Sequence, residues 1–161
     1  MRVDYREVFP AGLKAMRGLE EAVHQSTLEP QLLELVKLRA SQVNGCAYCV
    51  DMHTKDARSM GEDEQRLHLV AVWREAPFFT SRERAALAWC EALTRLPDND
   101  VPDELYQQVA GLFSPEEVVA LTLAVVAING WNRLAVSLRA PVGSYVPGRP
   151  GVTSGGRGGE G

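Results

Sequence analysis

Apolar residues recur along this chain at intervals of three and four, the spacing of a helix face, and nowhere settle into the sustained alternation of a half-buried strand. The pattern predicts an all-α protein, a bundle of six to seven helices. After an irregular opening, Leu13, Met16, Leu19 and Val23 mark an amphipathic first helix, and Glu29-Pro30 opens a second that runs to about Asn44. Asn44-Gly45 supplies a break, after which a third helix begins with Cys46 in its first turn and stops at Met60-Gly61. A fourth covers Glu62 to Trp73, Ala76-Pro77 interrupts, and Thr80 with Glu83 forms a capping box for a fifth that runs to about Thr94. Beyond the loop from Pro97 to Pro102, Asp103 to Leu112 reads as a short helix. Ser114-Pro115-Glu116-Glu117, a cap followed by proline and two acids, then opens a last helix that reaches about Arg139. Val118 to Ile128 is apolar around most of its circumference, which predicts a central helix buried by its neighbours or by another subunit. Asn-Gly follows an apolar helical stretch twice, at Asn44-Gly45 and Asn129-Gly130, a faint hint of a repeated two-helix unit.

A chain of 161 residues suffices for one ordinary core. The expected organisation is one helical domain over 1–147 and a disordered tail over 148–161, which holds seven of the fourteen glycines and almost nothing apolar to offset the entropy of ordering. A net charge of -4 and the lack of a basic stripe interleaved with aromatics argue against nucleic-acid binding, and no glycine-rich phosphate signature follows a strand. The run from Val118 to Ile128 is short of the roughly 20 residues that cross a bilayer, so no membrane partner is expected. Met1 to Gly12 is polar and mixed in charge, without a signal-peptide core, which points to a cytoplasmic location. Three cysteines are too few for a disulfide framework.

Two of those cysteines carry the chemistry. In Cys46-Ala47-Tyr48-Cys49, with His53 four residues on, both thiols and the imidazole fall along one edge of a helix. Unpaired N–H groups and the dipole at the helix start favour a thiolate at Cys46, whereas His53, one turn beyond Cys49, can take that thiol's proton. Spacing therefore leaves open which sulfur attacks. Oxidation by a peroxide gives a sulfenic acid, and a thiol three residues away closes a disulfide before over-oxidation. Two other readings compete. A structural zinc wants four ligands, and beyond the motif the chain offers only His24, His68 and Cys90, none in a second pair. Plain core packing leaves an imidazole in need of polar partners. Thiol chemistry accounts for all three side chains. By the same reasoning His24 and His68 face solvent, and Cys90 lies in the core beside Trp89. Tyr48 points away from Cys46 as a packing aromatic, and Asn129 to Arg133 make a helix junction.

Glu34 followed by Cys46-x-x-Cys49-x-x-x-His53 on consecutive helices resembles the alkylhydroperoxidase D-like branch of the carboxymuconolactone decarboxylase superfamily, over about Pro30 to Thr94. Ile128-Asn129-Gly130-Trp131-Asn132-Arg133-Leu134 is similar to the closing helix of that branch's peroxidase-related members. The resemblance implies helical subunits that assemble into trimers or hexamers. It further implies peroxidase activity through a reversible CxxC disulfide, with no metal, flavin or nucleotide cofactor. It implies that Glu34 joins His53 in a proton relay, that Cys49 forms the sulfenic acid, and that Cys46 donates a proton and closes the disulfide. Read from the residues alone, Glu34 is a solvated glutamate beside Lys37. Tyr48 stands where the best-known members carry a second histidine, which implies a shorter relay. Their reductant is a lipoyl adaptor, so a thiol or lipoyl-type donor is expected here. The expected activity is reduction of an alkyl hydroperoxide or hydrogen peroxide. The alternatives are a carboxymuconolactone-decarboxylase-type enzyme, whose chemistry needs no redox pair, and a redox-sensing or disulfide-exchange module with little turnover.

Overall fold

Each start signal in the sequence begins a helix in the computed structural model, which describes residues 1–148. The helices are α1 (Tyr5–Val8), α2 (Pro10–His24), α3 (Pro30–Val43), α4 (Ala47–Ser59), α5 (Glu64–Leu69), α6 (Ser81–Arg95), α7 (Asp103–Ala110) and α8 (Pro115–Leu138). No strand is present among the described residues, and the fold is all-α. The expected tail lies outside the described residues except for Gly148. One helix is additional to the sequence reading: Asp4 caps the single turn of α1 through the Arg6 N–H, so the CxxC helix is fourth in chain order. The stretch expected as one helix from Glu62 to Trp73 tightens after Leu69 into a 3₁₀ turn over Val70–Val72.

Local chemistry sets the boundaries. Thr80 and Ser114 both accept from the backbone three residues on while Glu83 and Glu117 reach back, two complete capping boxes. Gly45 adopts a φ of 65°, and this left-handed step lets α3 end and α4 begin two residues later. Asn129-Gly130, by contrast, sits inside α8, so the two Asn-Gly dipeptides do not mark a structural repeat. Gly130 serves close packing instead, because a Cβ there would lie 2.8 Å from Met16 Cε of α2.

The helix buried on nearly every side is α3. Its Leu33 and Val36 belong to one core with α6 and α8, and its Leu35 and Leu38 to a second with α5, Trp73 and Leu87. Each of these side chains contributes about 1.5–3 kcal/mol by leaving water. α8 was expected to be buried all round, and it is not: Ala124, Val125 and Ile128 face the core, but Val119, Leu123 and Val126 form an exposed stripe. By length and composition α8 suits a membrane span, with a mean hydropathy of 1.5 over its best window; its inner face packs on α2, α3, α4 and α6.

Candidate active site

The turn between α3 and α4 builds the site. α3 brings Glu34, Lys37 and Ser41 inward, and all three are buried. Cys46 is the N-cap of α4, one position before the first turn where the sequence placed it; its extended backbone turns the sulfur back onto the helix, and the Cys49 N–H points at it from 3.4 Å. Asn44 in the turn donates to Asn132 Oδ1 at 2.8 Å and Asn129 Oδ1 at 3.0 Å, and Asn132 Nδ2 reaches Ser41 Oγ at 3.1 Å. The expected helix junction is therefore present, and it fastens α8 to the C-terminal end of α3.

The two sulfurs lie 2.7 Å apart. One thiol proton between them stabilises negative charge on Cys46. The hydrogen bond from Cys49 outweighs burial, the Cys49 backbone N–H and the Asn132 side chain add to it, and the Cys46 thiol falls to about 6. The same sharing, with burial, pushes the Cys49 thiol up. Charge thus rests on Cys46, while Cys49 is the sulfur that lines a cavity of about 540 Å³.

One turn on, His53 is also buried, and its Nδ1 donates to Glu34 Oε2 at 2.7 Å. Burial acts to raise the Glu34 carboxyl, but this hydrogen bond and the charges of His53 and Lys37 outweigh it and hold Glu34 below the usual carboxylate range. His53 Nε2 has no hydrogen-bond partner among the described residues. A buried ring nitrogen without a partner, in the wall of a cavity, is placed to accept a proton from whatever enters. All four expected site residues, Glu34, Cys46, Cys49 and His53, are brought together.

Other residues depart from the sequence reading. Glu34 is not a solvated partner of Lys37. Both are buried, and Lys37 Nζ crosses to α2, donating to Glu20 Oε2 at 2.7 Å and His24 Nε2 at 3.1 Å. His24, expected in solvent, is exposed on one side and lines the cavity on the other, where burial and the Lys37 charge lower its pKa. His68 is exposed as expected. Tyr48 lines the cavity with Cys49. Cys90 is apart in the core, where burial pushes its thiol up to about 12 and the sulfur donates to Val36 O.

The sequence reading gave Lys37 only a surface role and missed Asp56 and Tyr145. Asp56 had a legible signal, since 46, 49, 53 and 56 continue one helical stripe. Tyr145 had none: its hydroxyl donates to Asp56 Oδ1 at 2.7 Å across a separation of 89 residues. Glu34, His53 and Asp56 bring one donor atom each within 4.8 Å of one another, a set that by composition could hold a cation. The 2.7 Å contact commits the first two to sharing a proton, and the cluster is read here as a proton network.

Comparison with known proteins agrees with this architecture. Residues 10–92 match the carboxymuconolactone decarboxylase family. The uncharacterized protein YdfG of Bacillus subtilis is 44% identical over 137 residues, 85% of this chain and 93% of the relative. An Agrobacterium tumefaciens protein of unknown function, described as a candidate antioxidant defence protein AhpD, superposes with a TM-score of 0.85 at 44% identity, covering 89% of this chain and 99% of that one. The debrominase Bmp8 shares the fold at 18% identity and a TM-score of 0.74, over 84% of this chain and 73% of its own.

Proposed function

The chain belongs to the carboxymuconolactone decarboxylase family, and on that premise we propose that it is a thiol-dependent peroxidase that reduces an alkyl hydroperoxide or hydrogen peroxide through Cys49 and Cys46. The observation that carries this reading is the pairing of Cys49, which lines the cavity, with the Cys46 sulfur 2.7 Å from its own, beside His53, which lines the same cavity and whose Nε2 has no hydrogen-bond partner among the described residues. The likeness to an AhpD-like protein at 44% identity supports it.

As Cys49 sulfur attacks the terminal peroxide oxygen, its proton passes to the Cys46 thiolate or to His53. The S–O bond forms, the O–O bond breaks, and the departing alkoxide is protonated to the alcohol. Cys46 then attacks the Cys49 sulfenic acid; the S–S bond forms, the S–O bond breaks and water leaves. Two electrons pass from the sulfurs to the peroxide. Glu34 keeps the His53 ring oriented. A thiol or lipoyl-type reductant would reopen the disulfide. Self-association into trimers or hexamers belongs to the same reading, and the exposed stripe Val119, Leu123 and Val126 supports it.

The test is intact-mass spectrometry of reduced wild type, Cys46→Ser and Cys49→Ser after one equivalent of cumene hydroperoxide. Wild type should form the disulfide and Cys46→Ser should trap a sulfenic acid at Cys49, whereas Cys49→Ser should consume peroxide at least about a thousandfold more slowly. Trapping only in Cys49→Ser would move the attack to Cys46. No oxidation above the rate of free cysteine would sink the peroxidase reading and leave decarboxylation or disulfide exchange.

A further inference from the structure

Proton accounting exposes a demand that the four residues above do not meet. With Cys46 a thiolate near neutral pH, the oxidative half-reaction is Cys46–S⁻ + Cys49–SH + ROOH + H⁺ → disulfide + ROH + H₂O, so each oxidation takes up one proton, which the reductive half-reaction returns. Glu34 and His53 are both buried, and His53 Nδ1 is tied to Glu34. Both line the cavity, so solvent protons reach them along its wall.

Asp56 stands in that wall. It lies one turn beyond His53 on α4, its carboxylate is within 4.8 Å of both the Glu34 carboxylate and the His53 ring, and it is only partly buried. A strap holds it in place. After α8 ends, with Arg139 in the left-handed region, the chain turns back over α4, where Tyr145 OH donates to Asp56 Oδ1 at 2.7 Å. Lys55 Nζ fixes the strap by donating to Gly143 O at 3.3 Å and Tyr145 O at 3.2 Å. Tyr145 and Val146 thereby become part of the cavity wall.

We propose that Asp56, held by Tyr145, is the proton port of the site, passing protons between solvent and the buried Glu34–His53 couple. The inference rests on the peroxidase reading and adds to it two residues that belong to neither the thiol pair nor its partners. Asp56 relays through His53, and Tyr145 is a positioning residue. The groups that face Asp56 are Glu34 and Lys37 from α3, His53 from its own helix and Tyr145 from the strap. Burial raises the Asp56 carboxyl and Glu34's charge adds to this, against the opposing hydrogen bond from Tyr145 and charges of His53 and Lys37. A carboxyl shifted upward spends more time protonated near neutral pH, as a carrier should.

The experiment is single-turnover oxidation of the reduced full-length protein by cumene hydroperoxide between about pH 6 and 8, around the Cys46 value, followed by disulfide formation in wild type, Asp56→Asn and Tyr145→Phe. Asp56→Asn should slow the reaction about tenfold or more at the alkaline end, where protons are scarce, and much less at the acid end. Millimolar formate, a small carboxyl carrier, should restore it. Tyr145→Phe keeps the carboxyl but loses the bond that positions it, and should slow the alkaline end about threefold, less than Asp56→Asn and without need of formate. A loss in Asp56→Asn that is equal at every pH and indifferent to formate would reduce Asp56 to an anchor for the strap and overturn the proposal, as would a variant as fast as wild type. Where Asp56→Asn fails to fold, Asp56→Glu stands in, and loss of its rate with no response to pH counts against the port. If wild type itself forms no disulfide with peroxide, the peroxidase reading falls and this one with it; a failure confined to the variants leaves that reading intact.

Discussion

Two glutamates, Glu34 on α3 and Glu91 on α6, are buried to the same extent, each 3% exposed, and their surroundings could hardly differ more. Around Glu91 both carboxylate oxygens are engaged: Arg39 Nε donates to Oε1 at 2.7 Å, Trp73 Nε1 to the same oxygen at 2.9 Å, and Arg74 to Oε2 at 2.6 Å. The knot ties α3, α6 and the segment after the 3₁₀ turn together, and none of its residues lines the cavity of the thiol site. Among the described residues Glu34 has one side-chain partner, His53, whose far nitrogen has none and whose ring lines the cavity. Burying a charge is costly in both places. At Glu91 the expense is offset locally by donors to both oxygens; at Glu34 it is met, among the described residues, by the single side-chain hydrogen bond from His53. Burial alone therefore does not separate a structural carboxylate from a reactive one, and the completeness of its hydrogen bonding does.

That contrast can be broken by exchanging outcomes. The largest effect on stability belongs to Glu91→Ala, which strands the Arg39 guanidinium and should cost about 3–5 kcal/mol in denaturant unfolding, while thiol oxidation at a temperature where the variant is folded stays near wild type. Glu34→Gln should do the reverse, lowering peroxide reduction about a hundredfold or more while unfolding moves by no more than about 1 kcal/mol. If Glu34→Gln unfolds the protein and keeps its rate, the distinction fails.

Acid sharpens the comparison. The Glu91 carboxyl is held below its ordinary range because the hydrogen bonds from Trp73, Arg74 and Arg39 outweigh burial, and Glu34 is lowered as well. A depressed folded pKa means that the stabilisation is complete above the unfolded value, about 4.3, and is lost as pH falls through the folded one. The stability gap between wild type and Glu91→Gln should therefore be widest near neutrality and close progressively below about pH 4. A gap that widens in acid would show that the sign is wrong. The smallest effect is a control on the same helix: Thr80→Ala removes the α6 cap and should cost about 1 kcal/mol, with no change in thiol oxidation.

Much of this molecule was legible in its sequence because the signals were local. Thr80 with Glu83 and Ser114 with Glu117 are three residues apart, as capping boxes must be, and Asn44-Gly45 turns where the dipeptide says it should. The alignment of Cys46, Cys49 and His53 follows from the pitch of one helix. Long-range pairings left no such trace. α1 is a single turn beside a chain end that is pinned when the Arg2 N–H donates to Leu138 O, and no periodicity of four residues could announce it. Glu34 and Lys37, neighbours on α3, look like a surface pair until α3 proves to be enclosed, whereupon each turns to a different helix. The exposed stripe of α8 was hidden by the opposite ambiguity, since an apolar run does not say which of its sides a monomer leaves uncovered.

The cap of α4 has a consequence for electrons. Cys46 accepts the Cys49 N–H at the start of that helix, and capping contacts of this kind contribute about 0.5–2 kcal/mol. A sulfur locked in a disulfide is a weaker acceptor than a thiolate, so this stabilisation belongs mainly to the dithiol form. For a two-electron couple, about 1.4 kcal/mol corresponds to about 30 mV. The helix start thus biases the reduction potential of the pair toward the oxidising side, and a disulfide closed there is one that an external thiol can readily reopen.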